Sequence, residues 1–371
     1  MTTLQVLLHV AAQRDYELHS LDLSTPFLHS SQHEEIWLRR PPGFTGTFPV
    51  GTQWSLRRPL YSLRQAPREW HDMLRTTLAA LVFAPSTADP SLFLGTDTSL
   101  PLFYILVYVE DLVFATGDIE ALTLVKSELQ KRHTCTDLGE LRSYLGLQIT
   151  WDRARRTITL TQSHMVHQVL QRFGFQFSSP QPTPLSTSHS LSAPPSDESV
   201  EPSGRGPIVF TGHSDASWVD DSTTQRSSQG YTFSPCSGSV SWQSTRSSSV
   251  LSSSCEAEIY AGAMAAQKLR WLTYLLTDLG EQPRSPPVLY VDNKAMSALC
   301  EEHRLEHRTK HITLRYFLAR KLQQRGQLRL AYVSTRANTA DVFTKALPLG
   351  DHQRFVTVLG LVPSLPHLLI A

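Results

Sequence analysis

The period of the hydrophobic positions changes repeatedly along this chain, and each change marks an element. Leu4, Leu7, Leu8 and Ala11 share one face of a helix near the start. Tyr16–Leu23 alternates in part between polar and apolar, which suits a strand carrying Asp22 near its end, and Ser24-Thr25-Pro26 breaks the run. Arg39–Gly51, rich in Pro and Gly, reads as turn and loop. Over Ser62–Leu81, Trp70, Leu74 and Leu78 recur every fourth residue, a helical stripe, with Pro67 near the start where proline is tolerated. Two β-branched and aromatic runs, Phe103–Tyr108 and Leu112–Ala115, flank Glu110-Asp111 and predict a buried hairpin with two carboxylates at its tip. Asp118 is placed to cap a helix whose stripe is Leu122, Val125 and Leu129. Ser143–Trp151 and Thr157–Thr161 read as paired strands, and Ser163–Phe173 as a short helix ending at Gly174.

Periodicity then stops. Ser178–Pro207 is dominated by Ser and Pro and cannot bury enough apolar surface to order itself, so it reads as a linker. Beyond it the rhythm is different. Three short strands, Ile208–His213, Gly230–Phe233 and Ser239–Trp242, precede a long Ala-rich helix, about Cys255–Leu279, with Gly280 placed to cap it. A strand Val288–Val291 ends at Asp292. Helical stretches Ala295–Glu301 and Thr309–Gln324, a strand Leu328–Val333 and a last short helix from near Ala340 follow. Hairpin strands that give way to alternating strands and helices predict a mixed sheet covered by helices. The expected organisation is a domain over 1–177, a linker over 178–207 and a second domain over 208–371, α/β (α+β) throughout.

Composition changes this picture little. The 371 residues are 40% hydrophobic and 18% charged, as in an ordinary globular protein of two or three domains. The formal net charge of +1 means that any nucleic-acid-binding surface must be local. Cys135, Cys236, Cys255 and Cys300 are scattered without metal-type spacing and read as reduced thiols of an intracellular protein. No run is apolar and long enough to span a bilayer, and the N-terminus lacks the basic lead of a signal peptide.

The acidic residues carry the candidate chemistry. In the second half, Asp215 follows the first strand, Glu258 lies in the first turn of the long helix, Asp292 ends the central strand and Asp341 starts the last helix. Strand ends and helix starts gather at one edge of such a sheet, so the four can converge. Converged carboxylates need a cation, and hard oxygen ligands suit Mg²⁺ or Mn²⁺. Each acid has a plainer reading too: Glu258 and Asp341 as acids favoured by helix dipoles, Asp292 as a cap. Between Arg304 and Arg329 stand ten basic or histidine residues, Arg308, Lys310, His311, Arg315 and Arg320 among them, which suits a nucleic-acid backbone or a solvated helix face. In the first half, Asp22 beside Glu110 and Asp111 is either a second metal site, of the kind nucleotidyl transfer needs, or a strand acid and a solvent-facing turn. No phosphate-binding Gly-x-x-x-x-Gly-Lys loop, zinc pattern or Gly-x-Ser-x-Gly elbow competes.

At these residues the chain resembles the Pol polyprotein of copia-type LTR retrotransposons. Leu21-Asp22-Leu23-Ser24-Thr25-Pro26-Phe27-Leu28, Pro41-Pro42-Gly43-Phe44, Leu60–Trp70, Asp89-Pro90-Ser91-Leu92-Phe93, Tyr108-Val109-Glu110-Asp111, Asp137-Leu138-Gly139 and Tyr144-Leu145-Gly146-Leu147 resemble its reverse-transcriptase motifs in order. Ser214–Trp218, Ser241-Trp242, Ser253–Glu258, Tyr290–Asn293, His307–His311 and Ala340–Lys345 resemble its ribonuclease H signatures. The resemblance implies an incomplete polymerase palm followed by a ribonuclease H-like domain. It implies RNA-directed DNA synthesis with hydrolysis of RNA in RNA–DNA hybrids, using Mg²⁺ or Mn²⁺, template-primer and deoxynucleoside triphosphates. Asp22, Glu110 and Asp111 take the positions of the polymerase metal ligands, and Asp215, Glu258, Asp292 and Asp341 those of the nuclease acids, Glu258 fitting better than Glu256. Gln65 falls in a segment that in the family lines the nucleotide and template region and His311 in a motif near its nuclease site; with Arg308, Lys310 and Arg315 of the basic stretch they are the candidate nucleic-acid contacts. The implied setting is a cytoplasmic retroelement particle or the nucleus.

Departures qualify these expectations. The family has two Asp where this chain has Glu110-Asp111, and Glu is longer by one methylene. Mg²⁺ tolerates little departure from octahedral geometry at about 2.0–2.1 Å, so polymerase activity is expected to fall. Pro26 stands beside Asp22, and Ser62 replaces a glycine. Against the family's order, fingers, thumb and connection are missing, and a complementing Pol subunit would have to supply them. The rival expectation is a non-catalytic or decayed remnant that at most binds nucleic acid.

Overall fold

A computed structural model of the chain describes residues 1–29, 34–39, 51–61, 63–97, 101–178, 183–184, 208–220, 223–235, 238–281, 283, 285–294, 296 and 313–361. They form two compact units, Val6–Gln176 and Phe177–Ala371, the latter grouped with Met1–Gln5. Most of the segment 178–207 and all of 297–312 lie outside the described residues, and with the latter all but Met296 of the expected helix over 295–301.

Through the first unit the order is α1 (Thr2–Arg14), β1 (Glu17–Leu23), β2 (Trp37–Arg39), β3 (Gln53–Ser55), α2 (Ala66–Ala79), β4 (Phe83–Pro85), β5 (Leu92–Gly95), β6 (Phe103–Tyr108), β7 (Asp111–Thr116), α3 (Ile119–Arg132), β8 (Cys135–Glu140), β9 (Ser143–Tyr144), β10 (Leu147–Asp152), β11 (Thr157–Thr161) and α4 (Ser163–Arg172). The main sheet runs β4-β5-β6-β7-β1-β8, every pairing antiparallel. Alternate residues of its strands, Leu21, Leu23, Phe103, Ile105, Val107, Leu112 and Phe114, join one buried cluster with Trp70, Leu74 and Leu78 of α2 and Leu122 and Leu129 of α3. The expected stripes on both helices are therefore in place. Asp118 caps α3 as expected, accepting from the Glu120 and Ala121 amides at 2.9 and 3.0 Å. Lys126 was not foreseen in the α3 face: it is buried, and its ammonium donates to Asp137 at 2.6 Å. That pairing gives the Asp137-Leu138-Gly139 motif a structural use.

The hairpin differs from expectation in one respect. Tyr108 pairs with Asp111, so the turn is Val109-Glu110, and Asp111 begins the returning strand. Val109 has φ +54, a conformation strained for a β-branched residue. Two hydrogen bonds hold the turn. The Trp70 indole donates to the Val109 carbonyl at 2.6 Å, and the Leu23 amide donates to the Glu110 carbonyl at 2.9 Å. A second difference lies in Ser143–Trp151. It is not one strand, because Leu145 and Gly146 both have positive φ and fold β9 back on β10. That is a two-residue turn of the I′ kind, without the Asn-Gly or Asp-Gly that usually announces it.

In the second unit, β12 (Thr211–Ser217), β13 (Ser228–Ser234), β14 (Ser241–Arg246), α5 (Ser254–Asp278), β15 (Val288–Val291), α6 (Thr313–Gln324), β16 (Arg329–Tyr332) and α7 (Leu349–Val358) follow one another. The sheet order is β14-β13-β12-β15-β16, antiparallel among the first three and parallel from β12 through β16. The α/β expectation holds, with a mixed sheet in this unit. The long helix ends as expected, with Gly280 at φ +73 and the Glu281 amide reaching back to the Leu276 carbonyl. No helix among the described residues is long and apolar enough to cross a membrane.

The Trp70 tether gives a stability prediction. Trp70→Phe should destabilise the chain by about 1–3 kcal/mol, because the buried indole is lost and the Val109 carbonyl is left unpaired. Urea denaturation measures it, and an unchanged midpoint would remove Trp70 as the anchor of the turn.

Candidate metal centre

Four carboxylates meet on one edge of the second sheet, though not all from the expected positions. Asp215 lies inside β12, not after it, because the strand runs beyond the apolar segment that signalled it. Its side chain is fully buried. Glu258 lies in the second turn of α5. The helix begins at Ser254, and its first turn is taken up by capping. The Glu256 amide donates to Ser253 Oγ, and the Glu256 carboxylate accepts from the Ser252 amide and hydroxyl at 2.7 and 2.6 Å. The two glutamates are thereby separated: Glu256 closes the helix start, whereas Glu258 turns inward and is only 7% exposed. Asp292 directly follows β15, as expected. Asp341 is in a 3-10 turn, Thr339–Phe343, rather than an α-helix, and the next α-helix, α7, starts only after Pro348.

One oxygen each from Asp215, Glu258 and Asp292 lie within 4.8 Å of one another, and no other such group of three occurs among the described residues. Asp341 joins through a cation. Lys345 Nζ donates to Asp215 Oδ1 at 2.9 Å and to Asp341 Oδ1 at 3.1 Å. The Thr344 hydroxyl makes a short hydrogen bond to the other oxygen of Asp215. Lys345 and Thr344 fall inside a recognised motif but carried no assigned role, as nothing in the local sequence says where their side chains point.

Gly230 also escaped sequence reasoning. It is the register partner of Asp215 on β13. A Cβ there would stand 2.8 Å from Phe343 Cβ and 2.9 Å from Thr344 Cγ2. Only glycine lets the 339–345 segment lie against the sheet beside Asp215. Ser244 Oγ donates to the Phe343 carbonyl at 2.6 Å, and the Asn338 side-chain Nδ2 donates to the Ser214 carbonyl at 3.0 Å, so the segment is fixed at both ends.

The electrostatics follow from burial of like charges. Burial, then Asp215 and Asp292, push Glu258 up to about 9. Burial, then Asp215, push Asp341 up to about 7. Burial disfavours the Lys345 charge, but Asp215 and Asp341 outweigh it and raise its pKa. One Glu258 oxygen, Oε2, is buried with no hydrogen-bond partner among the described residues. A buried carboxylate oxygen left bare beside two other carboxylates suits a hard divalent ion. The donor set fits such an ion.

The first unit is arranged differently. Asp22 and Asp111 are register partners on β1 and β7, so their side chains share a sheet face. It is the face opposite Leu21, Leu23, Leu112 and Phe114, away from α2 and α3. Burial, then Asp22 and Glu110, raise the Asp111 pKa. Glu110 lies in the turn, where the Tyr61 hydroxyl approaches its Oε2 at 3.4 Å. Asp22, Glu110 and Asp111 do not bring three oxygens within mutual 4.8 Å. Gln65 sits at the N-cap of α2 with a buried amide nitrogen that has no partner among the described residues. Arg308, Lys310 and His311 lie outside the described residues, and Arg315 falls in α6. Arg320, expected on a basic face, is buried, so it contributes no surface charge, whereas Lys321, Arg325 and Arg329 are exposed.

Residues 1–187 match the family described as reverse transcriptase (RNA-dependent DNA polymerase). The whole chain is similar to the Retrovirus-related Pol polyprotein from transposon RE2 of Arabidopsis thaliana, at 28% identity over 98% of this chain and 29% of the relative. It is similar to that from transposon TNT 1-94 of Nicotiana tabacum at 26% identity, over 97% of this chain and 32% of the relative. The chain thus spans about a third of the length of these curated relatives. An N-terminal RNase H domain from Mycobacterium tuberculosis aligns at 12% identity and a TM-score of 0.28, covering 40% of this chain and 97% of that one.

The charge cluster predicts a pH dependence. Unfolded, Glu258 and Asp341 ionise near 4.5 and 3.8, while folded they hold their protons up to about 9 and about 7. The folded state then binds more protons than the unfolded one across this window, so stability falls as pH rises from about 5 to about 9. In chelator the thermal midpoint should drop over that range, and Glu258→Gln should flatten the drop. A midpoint in chelator that is level, or equally steep in Glu258→Gln, would contradict this.

Proposed function

The chain belongs to the reverse transcriptase (RNA-dependent DNA polymerase) family, and from that premise we propose that it is a retrotransposon Pol segment with a polymerase palm over 1–177, a linker over 178–207 and a ribonuclease H domain over 208–371. Its surviving chemistry is hydrolysis of the RNA strand of an RNA–DNA hybrid, with Mg²⁺ or Mn²⁺, at Asp215, Glu258, Asp292 and Asp341. The observation that carries this is the buried, bare Oε2 of Glu258 beside Asp215 and Asp292. A divalent ion held there by Asp215, Glu258 and Asp292 would supply Lewis acidity, lowering the pKa of a water nucleophile.

The protein's own groups do the rest. Asp215, held by Thr344 and Lys345, is the fixed ligand common to both halves of the cluster. Glu258 holds its proton well above the usual carboxylate range because of burial, Asp215 and Asp292, and binding of a divalent ion would require its release. Asp292, half-buried, forms the rim where substrate would approach. The RNA–DNA hybrid is the substrate this reading requires, with Arg308, Lys310, His311 and Arg315 as backbone contacts.

In the palm, Asp22 and Asp111 take the metal-ligand roles with Glu110 as the third acid, and Gln65 faces the template and incoming deoxynucleoside triphosphate. The Glu110 position supports impaired synthesis: its longer arm ends near Tyr61 instead of closing a three-oxygen group with Asp22 and Asp111.

Two assays test the reading. The full chain with Mg²⁺ should cleave the RNA of a hybrid, and Asp292→Asn should cut the rate by about 100-fold or more, since even outer-shell ligand partners are worth about 10–100-fold. No cleavage, or cleavage unaffected by the substitution, counts against a nuclease. Primer extension should be weak and should rise by roughly 10–100-fold in Glu110→Asp, as about 1 Å of misplacement costs about 100-fold. Equal extension by both proteins would clear Glu110 of the defect.

A further inference from the structure

We propose that Lys345 is the resident cation of the carboxylate cluster, standing between Asp215 and Asp341 in place of a second divalent ion, so that the folded site takes one ion at Asp215, Glu258 and Asp292. The inference rests on the metal-dependent reading above and deepens it.

Four observations carry it. The Lys345 ammonium bridges the two acids at 2.9 and 3.1 Å, and the Asp215 and Asp341 side chains are 0% and 5% exposed. Both oxygens of Asp215 are engaged by consecutive residues, Thr344 and Lys345. The backbone aims them there. The amides of Thr344 and Lys345 both donate to the Asp341 carbonyl, at 3.1 and 2.9 Å, and Gly230 clears the space beneath. Glu258, by contrast, receives nothing from Lys345 among the described hydrogen bonds and keeps a bare oxygen.

The cluster is therefore divided. Asp215–Asp341 already holds a compact point charge on a fixed stem between its two acids, while Asp215–Glu258–Asp292 has none. Lysine suits this use because an ammonium, unlike a planar guanidinium, presents its donors in any direction from one centre. Two buried acids this close cannot both stay ionised without a cation. A second ion would have to displace Lys345 and take over both of its contacts.

The test counts bound Mn²⁺ by electron paramagnetic resonance on the full chain without nucleic acid. An Asp111→Asn background keeps the first unit from contributing. The Lys345-containing protein should bind one ion, and Lys345→Met and Lys345→Gln should bind two. Both substitutions should lower the thermal midpoint in chelator, and Mn²⁺ should restore it. An unchanged ion count overturns the proposal. So does a failure of both variants to fold even in saturating Mn²⁺, since the ammonium would then do something a metal ion cannot replace. Hybrid cleavage measured on the same proteins separates the two ideas. Counts that shift as expected without any cleavage sink the nuclease reading alone, and cleavage with unshifted counts sinks the role of Lys345 alone.

Discussion

Burying like charges is the constraint from which the second unit follows. Asp215, Glu258 and Asp341 are each less than a tenth exposed, and Asp292 lies close enough to complete a three-oxygen group with Asp215 and Glu258. Removing such charges from water is costly unless each finds a partner or a proton. Much of the local architecture can be read as management of that cost. The 3-10 turn at Thr339–Phe343 brings Lys345 back over Asp341, Gly230 makes room for the turn, and Asn338 and Ser244 fasten it to the sheet. Glu256 is spent on the start of α5, which sets the phase that turns Glu258 inward.

The first unit solves an easier problem. Asp22 and Asp111 are half-buried on a sheet face, where water offsets part of their repulsion. What the hairpin needs is geometric. A two-residue turn with Val109 at φ +54 persists only if its surroundings over-determine it. The indole of Trp70 and the amide of Leu23 provide that, linking the turn to α2 and to the strand that carries Asp22. The packing of α2 and the position of the acids are thus one structural fact.

Legibility from sequence divides along the same line. Elements whose signal is periodic were readable: the α2 stripe, the hairpin strands, Val288–Val291 and its terminal Asp292. Where a tertiary contact decides, the sequence was silent or misleading. The apolar run Ile208–His213 placed the first strand too early, because β12 continues through Ser214 and Asp215, polar residues that only burial beside β13 and β15 makes strand-like. Leu145-Gly146 turns with a Leu at positive φ where Asn or Asp is usual. Arg320, which reads as part of a basic face, is buried, and so is Lys126, which carried no reading at all. The acids could be listed from motifs, but Lys345, Thr344 and Gly230 acquire meaning only from what faces them across the fold.

This bears on whether the cluster exists for chemistry or merely remains from it. Asp215 and Asp341, bridged by the Lys345 ammonium, form a paired set that could persist for stability alone. Glu258 cannot be explained that way. Burial and its two acidic neighbours make its charged form unfavourable, and its Oε2 has no partner among the described residues. A chain kept only for its fold would gain by replacing Glu258 with an apolar residue of similar size. A group that costs the folded state energy, placed where a hard cation would reverse the cost, supports the proposed metal site. A proton relieves the charge of Glu258 in the metal-free fold but leaves Oε2 without a partner among the described residues, whereas a bound cation would answer both, so Glu258 bears on the proposed chemistry more than the number of acids around it does.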